Sequence, residues 1–142
     1  MKLGKDEGQK RRKSERAGEA DEAARRIQTG FLPRAETLRD EHRVEIAASM
    51  TPARDVGGDL YDYFLLDDRR LFFLVGDVSG KGLSASMFMG VGKALYKSVT
   101  LRRPDASVSA SMRAANGEIA RDNPEMFFVT AFAGILDLDT GA

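Results

Sequence analysis

Two aspartates, Asp59 and Asp77, lie near the two ends of a segment whose pattern predicts a single β-hairpin. Asp59 lies in a run rich in aromatic and aliphatic residues, and Asp77 follows a second, shorter apolar run. A polar stretch around Asp68 separates the two runs and predicts the turn. If the runs pair antiparallel about that turn, Asp59 faces either Asp77 or Val78.

Carboxylates in that arrangement indicate a divalent cation site. Directly opposed residues of an antiparallel ladder lie ~4.5–5.5 Å apart, and two carboxylates that close repel each other unless one is protonated or a cation lies between them. Aspartates are also common in turns, so an ordinary hairpin without metal is the alternative. Glycine permits the close backbone approach that a ligand needs, and glycines flank both aspartates, at Gly57, Gly58, Gly76, Gly80 and Gly82.

The glycine-rich segment around Lys81 does not match a phosphate-binding loop. A Walker A loop needs four residues between its first glycine and the Gly-Lys pair, which is followed by Ser or Thr. Here three residues separate Gly76 from Gly80, and Gly82 follows the lysine. A nucleotide-binding protein is therefore the least favoured interpretation, although a helix beginning near Leu83 would offer free N–H groups to an anion.

The elements that must position these residues follow from the apolar spacing. Residues 44–50 predict a strand before the hairpin. Residues 83–101 predict a helix after it, in which Gly90 and Gly92 indicate close packing against a sheet, because glycine is otherwise unfavourable in a helix. The apolar face of this helix repeats every four residues, at Met87, Val91, Leu95 and Val99.

A second helix is predicted over residues 106–121, followed by a strand over residues 127–136. The continuous apolar run of that strand is typical of burial on both faces. A turn at residues 137–141 has no partner strand after it, which would leave apolar surface or an unpaired edge exposed. We therefore expect that the chain is a fragment of a longer domain, or that it recruits another chain there.

The N-terminal part begins with charged residues and continues with an amphipathic pattern. Residues 1–18 are nearly free of large apolar groups, which predicts a flexible tail or the exposed end of a helix. Small and apolar residues then recur at spacings of three and four up to Phe31, as in a helix that Gly30 and Pro33 end. Ile27 and Phe31 are its predicted docking residues, against the domain, an upstream element or a second copy.

The composition excludes several classes of protein. The 142 residues include 22 basic and 22 acidic side chains, so no global charge favours nucleic acid or a membrane surface. The absence of cysteine excludes a disulfide framework and thiolate chemistry and fits a reducing compartment. No apolar stretch is long enough for a membrane span. We expect a cytoplasmic protein with no nucleic-acid partner and no membrane insertion.

Two motifs resemble those of a known family. Residues 52–62, PARDVGGDLYD, and residues 76–85, GDVSGKGLSA, are similar to the SpoIIE/RsbU branch of the PPM-type metal-dependent serine/threonine protein phosphatases. Residues 24–33 resemble the helix and Leu-Pro turn that precede that domain. Residues 127–130 and 137–141 resemble its middle strand and the following turn.

The resemblance implies an organisation and a fold. The chain divides into a charged flexible tail (1–18), a switch helix with its Leu-Pro turn (19–33) and the N-terminal part of a phosphatase domain (43–142). The implied fold is of the α+β class, an α/β/β/α sandwich truncated here after its middle strand. In the complete domain two Mn²⁺ or Mg²⁺ ions lie between the sheets.

Site residues are carried over by position. The resemblance implies that Asp77 bridges the two metals, that the backbone carbonyl of Val78 binds one of them, and that Asp59 holds metal directly or through water. Asp59 and Asp77 are thus the expected catalytic residues. Arg54 could reach a substrate phosphate or form a surface ion pair instead.

The implied reaction is hydrolysis of phosphoserine or phosphothreonine on a regulatory protein, in which a metal-bound water attacks phosphorus in line. Implied partners in bacterial sigma-factor signalling are a phosphorylated anti-anti-sigma-factor domain, an upstream sensor or receiver domain, and a second copy bound through the N-terminal helix. Ile27, Gln28 and Phe31 belong to the expected switch.

The family's further metal-binding aspartates belong to a C-terminal half beyond residue 142, so we expect weak metal binding and little turnover from these residues alone. The alternative function is a catalytically incomplete fragment that binds or regulates a partner.

Overall fold

The computed structural model describes residues 3–51 and 56–142. In these ranges the chain combines α-helices with an antiparallel sheet of three strands, the α+β class that the sequence predicts. The elements are, in chain order, α1 (Leu3–Phe31), a 3₁₀ turn (Ala35–Leu38), β1 (Asp59–Leu65), β2 (Arg70–Val78), α2 (Leu83–Arg102), α3 (Val108–Arg121) and β3 (Val129–Asp137).

The predicted hairpin is confirmed as β1 and β2, the first two strands of a sheet with the order β1-β2-β3. Asp67 stabilises its turn, because the Oδ1 atom accepts hydrogen bonds from the backbone N–H groups of Arg69 at 2.9 Å and Arg70 at 2.8 Å. An aspartate that caps backbone donors in this way favours a tight reversal of the chain. β3 pairs antiparallel with the other edge of β2.

The helices α2 and α3 pack on one face of the sheet, here called the inner face; the opposite face is the outer face. Side chains alternate between the two faces along each strand. Leu60 and Val78 therefore point to the helices, whereas Tyr61 and Val75 point away from them. The buried core lies on the inner face and consists of Leu60, Phe64, Phe72, Leu74, Val78, Ala85, Met89, Tyr96 and Ala115.

β3 is present where the sequence predicts a strand, but the prediction of burial on both faces is wrong. Val129 and Ala133 pack against the core on the inner face, whereas Phe132 on the outer face is 69% exposed. In the described residues, helices pack on only one side of the sheet. A continuous apolar run therefore does not establish two-sided burial.

The predicted helix over residues 83–101 is confirmed as α2, but its regular apolar stripe is not the face that the sheet buries. Met87 and Val91 are largely exposed, whereas Ala85 and Met89 are fully buried against the sheet. The buried residues of the helix also include Lys93 and Tyr96, so the buried face does not coincide with the regular apolar stripe.

The two glycines of α2 pack against different elements. A Cβ atom at Gly92 would lie 4.0 Å from the side chain of Val129 in β3, in agreement with the predicted packing on a sheet. A Cβ atom at Gly90 would lie 3.1 Å from the ring of Phe31, so this glycine lies against α1 and not against the sheet. The prediction is therefore correct for Gly92 and wrong for Gly90.

The second predicted helix is confirmed as α3. Ser107 caps its N-terminus, since the Oγ atom accepts a hydrogen bond from the backbone N–H of Ala110 at 3.2 Å. Met112 and Ile119 pack against the core from the apolar face of the helix. This cap sets the first helical residue at Val108.

Residues 44–50, all of which the structure describes, form no strand, and the prediction of one is wrong. The segment lies over the outer face, where Val44 and Ile46 line a small cavity together with Tyr63 and Leu71. Its apolar alternation comes from packing onto that face and not from pairing in a ladder.

α1 extends from Leu3 to Phe31. The charged segment therefore lies in the helix from Leu3 onward, in place of an irregular tail, and the helix ends where Gly30 and Pro33 predict. None of the helices that the structure describes has an apolar stretch sufficient to cross a membrane.

Candidate functional site

The paired aspartates lie at one end of the hairpin. Asp59 is the direct cross-strand partner of Asp77, the first of the two registers that the sequence allows. Both residues are exposed, whereas their neighbours Leu60 and Val78 are buried on the inner face. Directly opposed side chains share a face of the sheet. The two carboxylates therefore lie side by side on the outer face.

Gly58 sets the backbone geometry next to this pair. Its carbonyl accepts a hydrogen bond from the N–H of Val78 at 3.2 Å. A Cβ atom at Gly58 would lie 2.6 Å from the carbonyl oxygen of Val78, a distance that no real side chain tolerates. Glycine is thus required for the two strand ends to approach, and the carbonyl expected to bind metal lies at that contact.

A cleft opens on the outer face beside Asp59. Its volume is about 480 Å³, and it is bounded by the end of the hairpin on one side and by residues 47–51 on the other. Tyr61 and Val75 line its wall. The segment predicted as a strand therefore contributes to the site as an irregular wall.

Asp77 is positioned by the elements that follow it. The Oγ1 atom of Thr130 in β3 donates a hydrogen bond to the backbone carbonyl of Asp77 at 3.3 Å. Ser79 donates its N–H to the carbonyl of Phe128 at 2.8 Å, and its Oγ accepts the N–H of Phe128 at 3.0 Å. The loop then turns at Gly80, whose φ of 91° favours glycine.

Sequence reasoning missed Ser79 and Thr130 as residues that position the site. Both contacts cross from β2 to β3. Ser79 contacts Phe128, 49 positions away in the chain, and Thr130 contacts Asp77, 53 positions away. Only the β2–β3 register, in which Asp77 faces Thr130, brings them together. A correct prediction of the register between β2 and β3 would have identified both residues.

The donor set suits a hard divalent cation. Mg²⁺ and Mn²⁺ prefer oxygen ligands, namely carboxylates, carbonyls and water, and Asp59, Asp77 and the Val78 carbonyl offer the first two kinds. Among the residues that the structure describes, no group of three or more acidic, histidine or cysteine side chains is placed to hold a metal. These residues therefore present oxygen atoms of the kind that such a cation binds, but fewer side chains than a complete coordination shell needs.

α1 reaches the same strand end through Gln28. This side chain is 2% exposed, its Nε2 donates to the Gly57 carbonyl at 2.7 Å, and its Oε1 accepts the Gly57 N–H at 3.3 Å. Gly57 lies two residues before Asp59. Of the two other residues expected in the switch, Phe31 contacts Gly90 of α2, and Ile27 is mostly exposed.

A buried ion pair lies beneath β1 on the inner face. The Nζ atom of Lys93 in α2 lies 2.5 Å from Oδ2 of Asp62, and Nζ of Lys97 lies 3.8 Å from the same oxygen. Burial lowers the pKa of Lys93, and the neighbouring Asp62 opposes this shift. This pair could not be predicted from the sequence, because Asp62 and Lys93 are 31 positions apart and meet only in the fold.

Arg54, predicted to contact a substrate phosphate, lies outside the described residues, as do residues 52, 53 and 55. The proposed role of this residue stays a prediction.

Known proteins resemble this chain in sequence and in fold. The family profile described as Stage II sporulation protein E (SpoIIE) matches residues 67–142. Protein IcfG of Synechocystis sp. is 34% identical over 145 residues, an alignment that covers 84% of this chain and 23% of IcfG. The chain thus spans less than a quarter of that relative.

Two solved structures superpose on large parts of this chain. The SiaA-PP2C domain of Pseudomonas aeruginosa superposes with a TM-score of 0.67 at 18% identity, covering 89% of this chain and 50% of that chain. The structure of the RsbU and RsbW domains of Rv1364c from Mycobacterium tuberculosis superposes with a TM-score of 0.52 at 25% identity, covering 62% of this chain and 24% of that one. The sequence matches and the shared fold together show that the chain belongs to the SpoIIE family, in the SpoIIE/RsbU branch of the PPM-type phosphatases.

Proposed function

We propose that this chain forms part of a metal-dependent phosphatase that hydrolyses phosphoserine or phosphothreonine on a regulatory protein. The observation that carries the proposal is the cross-strand pairing of Asp59 with Asp77 on the outer face, beside an open cleft. Family membership supports phosphatase chemistry in general. That the substrate is phosphoserine or phosphothreonine, and that it binds at the Asp59–Asp77 pair, is part of the proposal.

The residues of the chain would act by binding divalent cations at the end of the hairpin. Asp59 and Asp77 would bind Mn²⁺ or Mg²⁺, with the Val78 carbonyl as a third oxygen ligand and water in the remaining positions. When bound, two such cations supply charge neutralisation for the phosphoryl group and a nucleophile from water at neutral pH. Arg54, five residues before Asp59, would assist by binding a phosphate oxygen.

Enzymatic activity of this kind is tested by following Mn²⁺-dependent hydrolysis of a phosphoserine peptide by the native protein that contains this chain. We expect turnover that chelation abolishes and that Asp77→Asn reduces by at least about a hundredfold. Asp68→Asn, at the opposite end of the same hairpin, is the matched control and should retain full activity. Equal activity of both variants would refute the assigned role of Asp77.

A second candidate is a catalytically incomplete module that binds or regulates a partner. It is favoured by the small donor set, since the described residues present no cluster of three metal-binding side chains. The two candidates differ in turnover by the 142 residues alone. Hydrolysis by these residues with Mn²⁺ would exclude the second candidate for the isolated chain, and we expect little or none.

The proposed substrate is a phosphorylated regulatory protein of the anti-anti-sigma-factor type. The family resemblance supports this choice, and the solved relative from Mycobacterium tuberculosis combines an RsbU domain with an RsbW domain. An upstream sensor or receiver domain and a second copy of α1 are the proposed regulatory partners.

We propose that α1 acts as a switch through Gln28. The two hydrogen bonds to Gly57 couple the position of the helix to the strand end that bears Asp59. Ile27 and Phe31 would join in the switch by contacts that change when α1 moves. Because a buried amide with two partners tolerates little displacement, a shift of α1 must either move Gly57 or break both bonds.

Substitution of Gln28 tests the switch. Gln28→Ala together with Phe31→Ala should change phosphatase activity or oligomeric state in the native protein. Thr29→Ala, on the exposed side of the same helical turn, is the control and should change neither. Unchanged activity and unchanged oligomeric state in the double variant would remove the switch while leaving the proposed phosphatase function intact.

A further inference from the structure

Asp62 is a buried carboxylate that the proposed reaction does not use. It lies on the inner face of β1, three residues after Asp59, and is 4% exposed. Its Oδ1 atom accepts a hydrogen bond from the backbone N–H of Tyr63 at 3.0 Å, and its Oδ2 atom lies 2.5 Å from Nζ of Lys93 in α2. This one side chain therefore joins the backbone of β1 to the helix.

The contact between Asp62 and Lys93 differs in kind from the apolar contacts around it. Apolar packing is non-directional, so it allows small adjustments of a helix on a sheet. A buried carboxylate that is separated from its cation is strongly destabilising, so the ion pair does not allow them. Lys97, one helical turn further along α2, lies 3.8 Å from the same oxygen and is half-exposed, which makes it the weaker partner. The buried pair thus fixes the position of α2 relative to β1.

The chain is also held on the other side of Asp59, by α1. Gln28 binds both backbone groups of Gly57, two residues before Asp59. The two helices contact each other, because a Cβ atom at Gly90 of α2 would lie 3.1 Å from the ring of Phe31 in α1. Asp59 therefore lies between two points at which the backbone is held by buried polar side chains from helices in mutual contact.

The end of β1 that bears Asp59 depends on such contacts. Asp59 is the first residue of the strand, and the ends of an element open more readily than its middle. The backbone contact next to it is the hydrogen bond from the Val78 N–H to the Gly58 carbonyl, at 3.2 Å. Exchange of the Val78 amide proton with solvent consequently reports how firmly this end of the hairpin is closed.

We propose that Asp62 and Lys93 are positioning residues for the proposed metal site. The pair holds β1 against α2, so that Asp59 stays opposite Asp77 before a cation binds. This inference rests on the proposed function and adds to it two residues that touch neither metal nor substrate. If the pair served stability alone, apolar side chains of similar volume could replace it without loss.

The test replaces the pair in the native protein that contains this chain. The double variant Asp62→Leu with Lys93→Met removes both charges and keeps the volume apolar. Asp62→Asn, which keeps an acceptor for the Tyr63 N–H, examines the same contact if the double variant does not fold. Lys97→Met, which removes the half-exposed lysine one turn away, is the matched control. Two quantities are measured, namely Mn²⁺ affinity and amide hydrogen exchange of the metal-free protein.

We expect the double variant, or Asp62→Asn in its place, to bind Mn²⁺ about tenfold more weakly than the unsubstituted protein. Exchange at Val78 should be about tenfold faster. The N–H of Leu66, which donates to the Arg70 carbonyl at 2.8 Å at the other end of the hairpin, should keep its rate. Lys97→Met should change none of these values.

Unchanged Mn²⁺ affinity in a folded variant would overturn the inference alone. Equal acceleration at Val78 and Leu66 would also overturn it, because a general loss of stability moves both amides together. If the unsubstituted protein shows no saturable Mn²⁺ binding, the proposed metal site itself is wrong, and this inference with it.

Discussion

Asp59 of β1 and Asp77 of β2 are direct cross-strand partners, and both lie exposed on the sheet face opposite α2 and α3. Like charges on directly opposed residues of a sheet repel each other in the absence of a counter-ion. Gly58, next to the pair, lets the two strand ends approach closely. A divalent cation bound between them would relieve the repulsion, and this relation links the fold to the proposed chemistry.

Gly58→Ala tests whether the close strand approach is required. The added Cβ would lie 2.6 Å from the Val78 carbonyl oxygen, so the strand ends must move apart. We expect a loss of about 1–3 kcal/mol in the free energy of unfolding, measured with urea. At Gly57 the nearest atom to an added Cβ lies 4.0 Å away, and Gly57→Ala should change stability by less than about 0.5 kcal/mol. Equal effects at the two positions would contradict this account.

Lys93→Met tests the buried ion pair beneath β1. The substitution leaves the buried carboxylate of Asp62 with the Tyr63 N–H at 3.0 Å from Oδ1 and with Lys97 at 3.8 Å from Oδ2, so Oδ2 loses its close partner. We expect a loss of about 3–5 kcal/mol in the free energy of unfolding. The control is Lys97→Met, which removes a half-exposed charge and should cost less than about 1 kcal/mol. Urea unfolding of both variants measures the difference, and a smaller loss for Lys93→Met than for Lys97→Met would rule out the pair as the main contact.

Two surface carboxylates have pKa values lowered by hydrogen bonds from neighbouring arginines. Hydrogen bonds from Arg43 lower the pKa of Glu41 from 4.5 to about 2, and those from Arg70 lower the pKa of Asp67 from 3.8 to about 2. A carboxyl group whose pKa is lower in the folded state stabilises the fold above its ordinary pKa. That contribution is lost as the pH falls through about 2.

We therefore expect the urea midpoint to fall as the pH is lowered from about 5 to about 2. Asp67→Asn keeps an acceptor for the turn but removes the charge, so its midpoint should start lower near neutral pH and fall less steeply. Asp68→Asn, the next residue in the turn, is the control and should follow the unsubstituted chain. Parallel curves for Asp67→Asn and the unsubstituted chain would show that the Arg70 contact contributes nothing.

The hairpin and its register could be predicted from sequence because they depend on local pattern. Two apolar runs around Asp68 leave only two ways to pair, and one of them places Asp59 opposite Asp77. The helices α2 and α3 were likewise predictable, since the spacing of their apolar residues is a local pattern, although the cap at Ser107 was not predicted.

Features that depend on distant partners could not be predicted in the same way. The face that α2 buries depends on how the helix packs on the sheet, and Met87 stays exposed despite its place in the apolar stripe. Residues 44–50 have the composition of a strand but lie over the outer face without pairing. The contacts of Gln28 with Gly57 and of Lys93 with Asp62 join residues that are 29 and 31 positions apart.

The most direct test of the central claim is a Mn²⁺ titration of the chain, followed by water proton relaxation, which detects weak binding. We predict saturable binding that Asp59→Asn and Asp77→Asn each weaken by about tenfold or more, while Asp68→Asn leaves it unchanged. Binding that is indifferent to both substitutions, or the absence of saturable binding, would contradict the assignment of these two carboxylates to a metal centre.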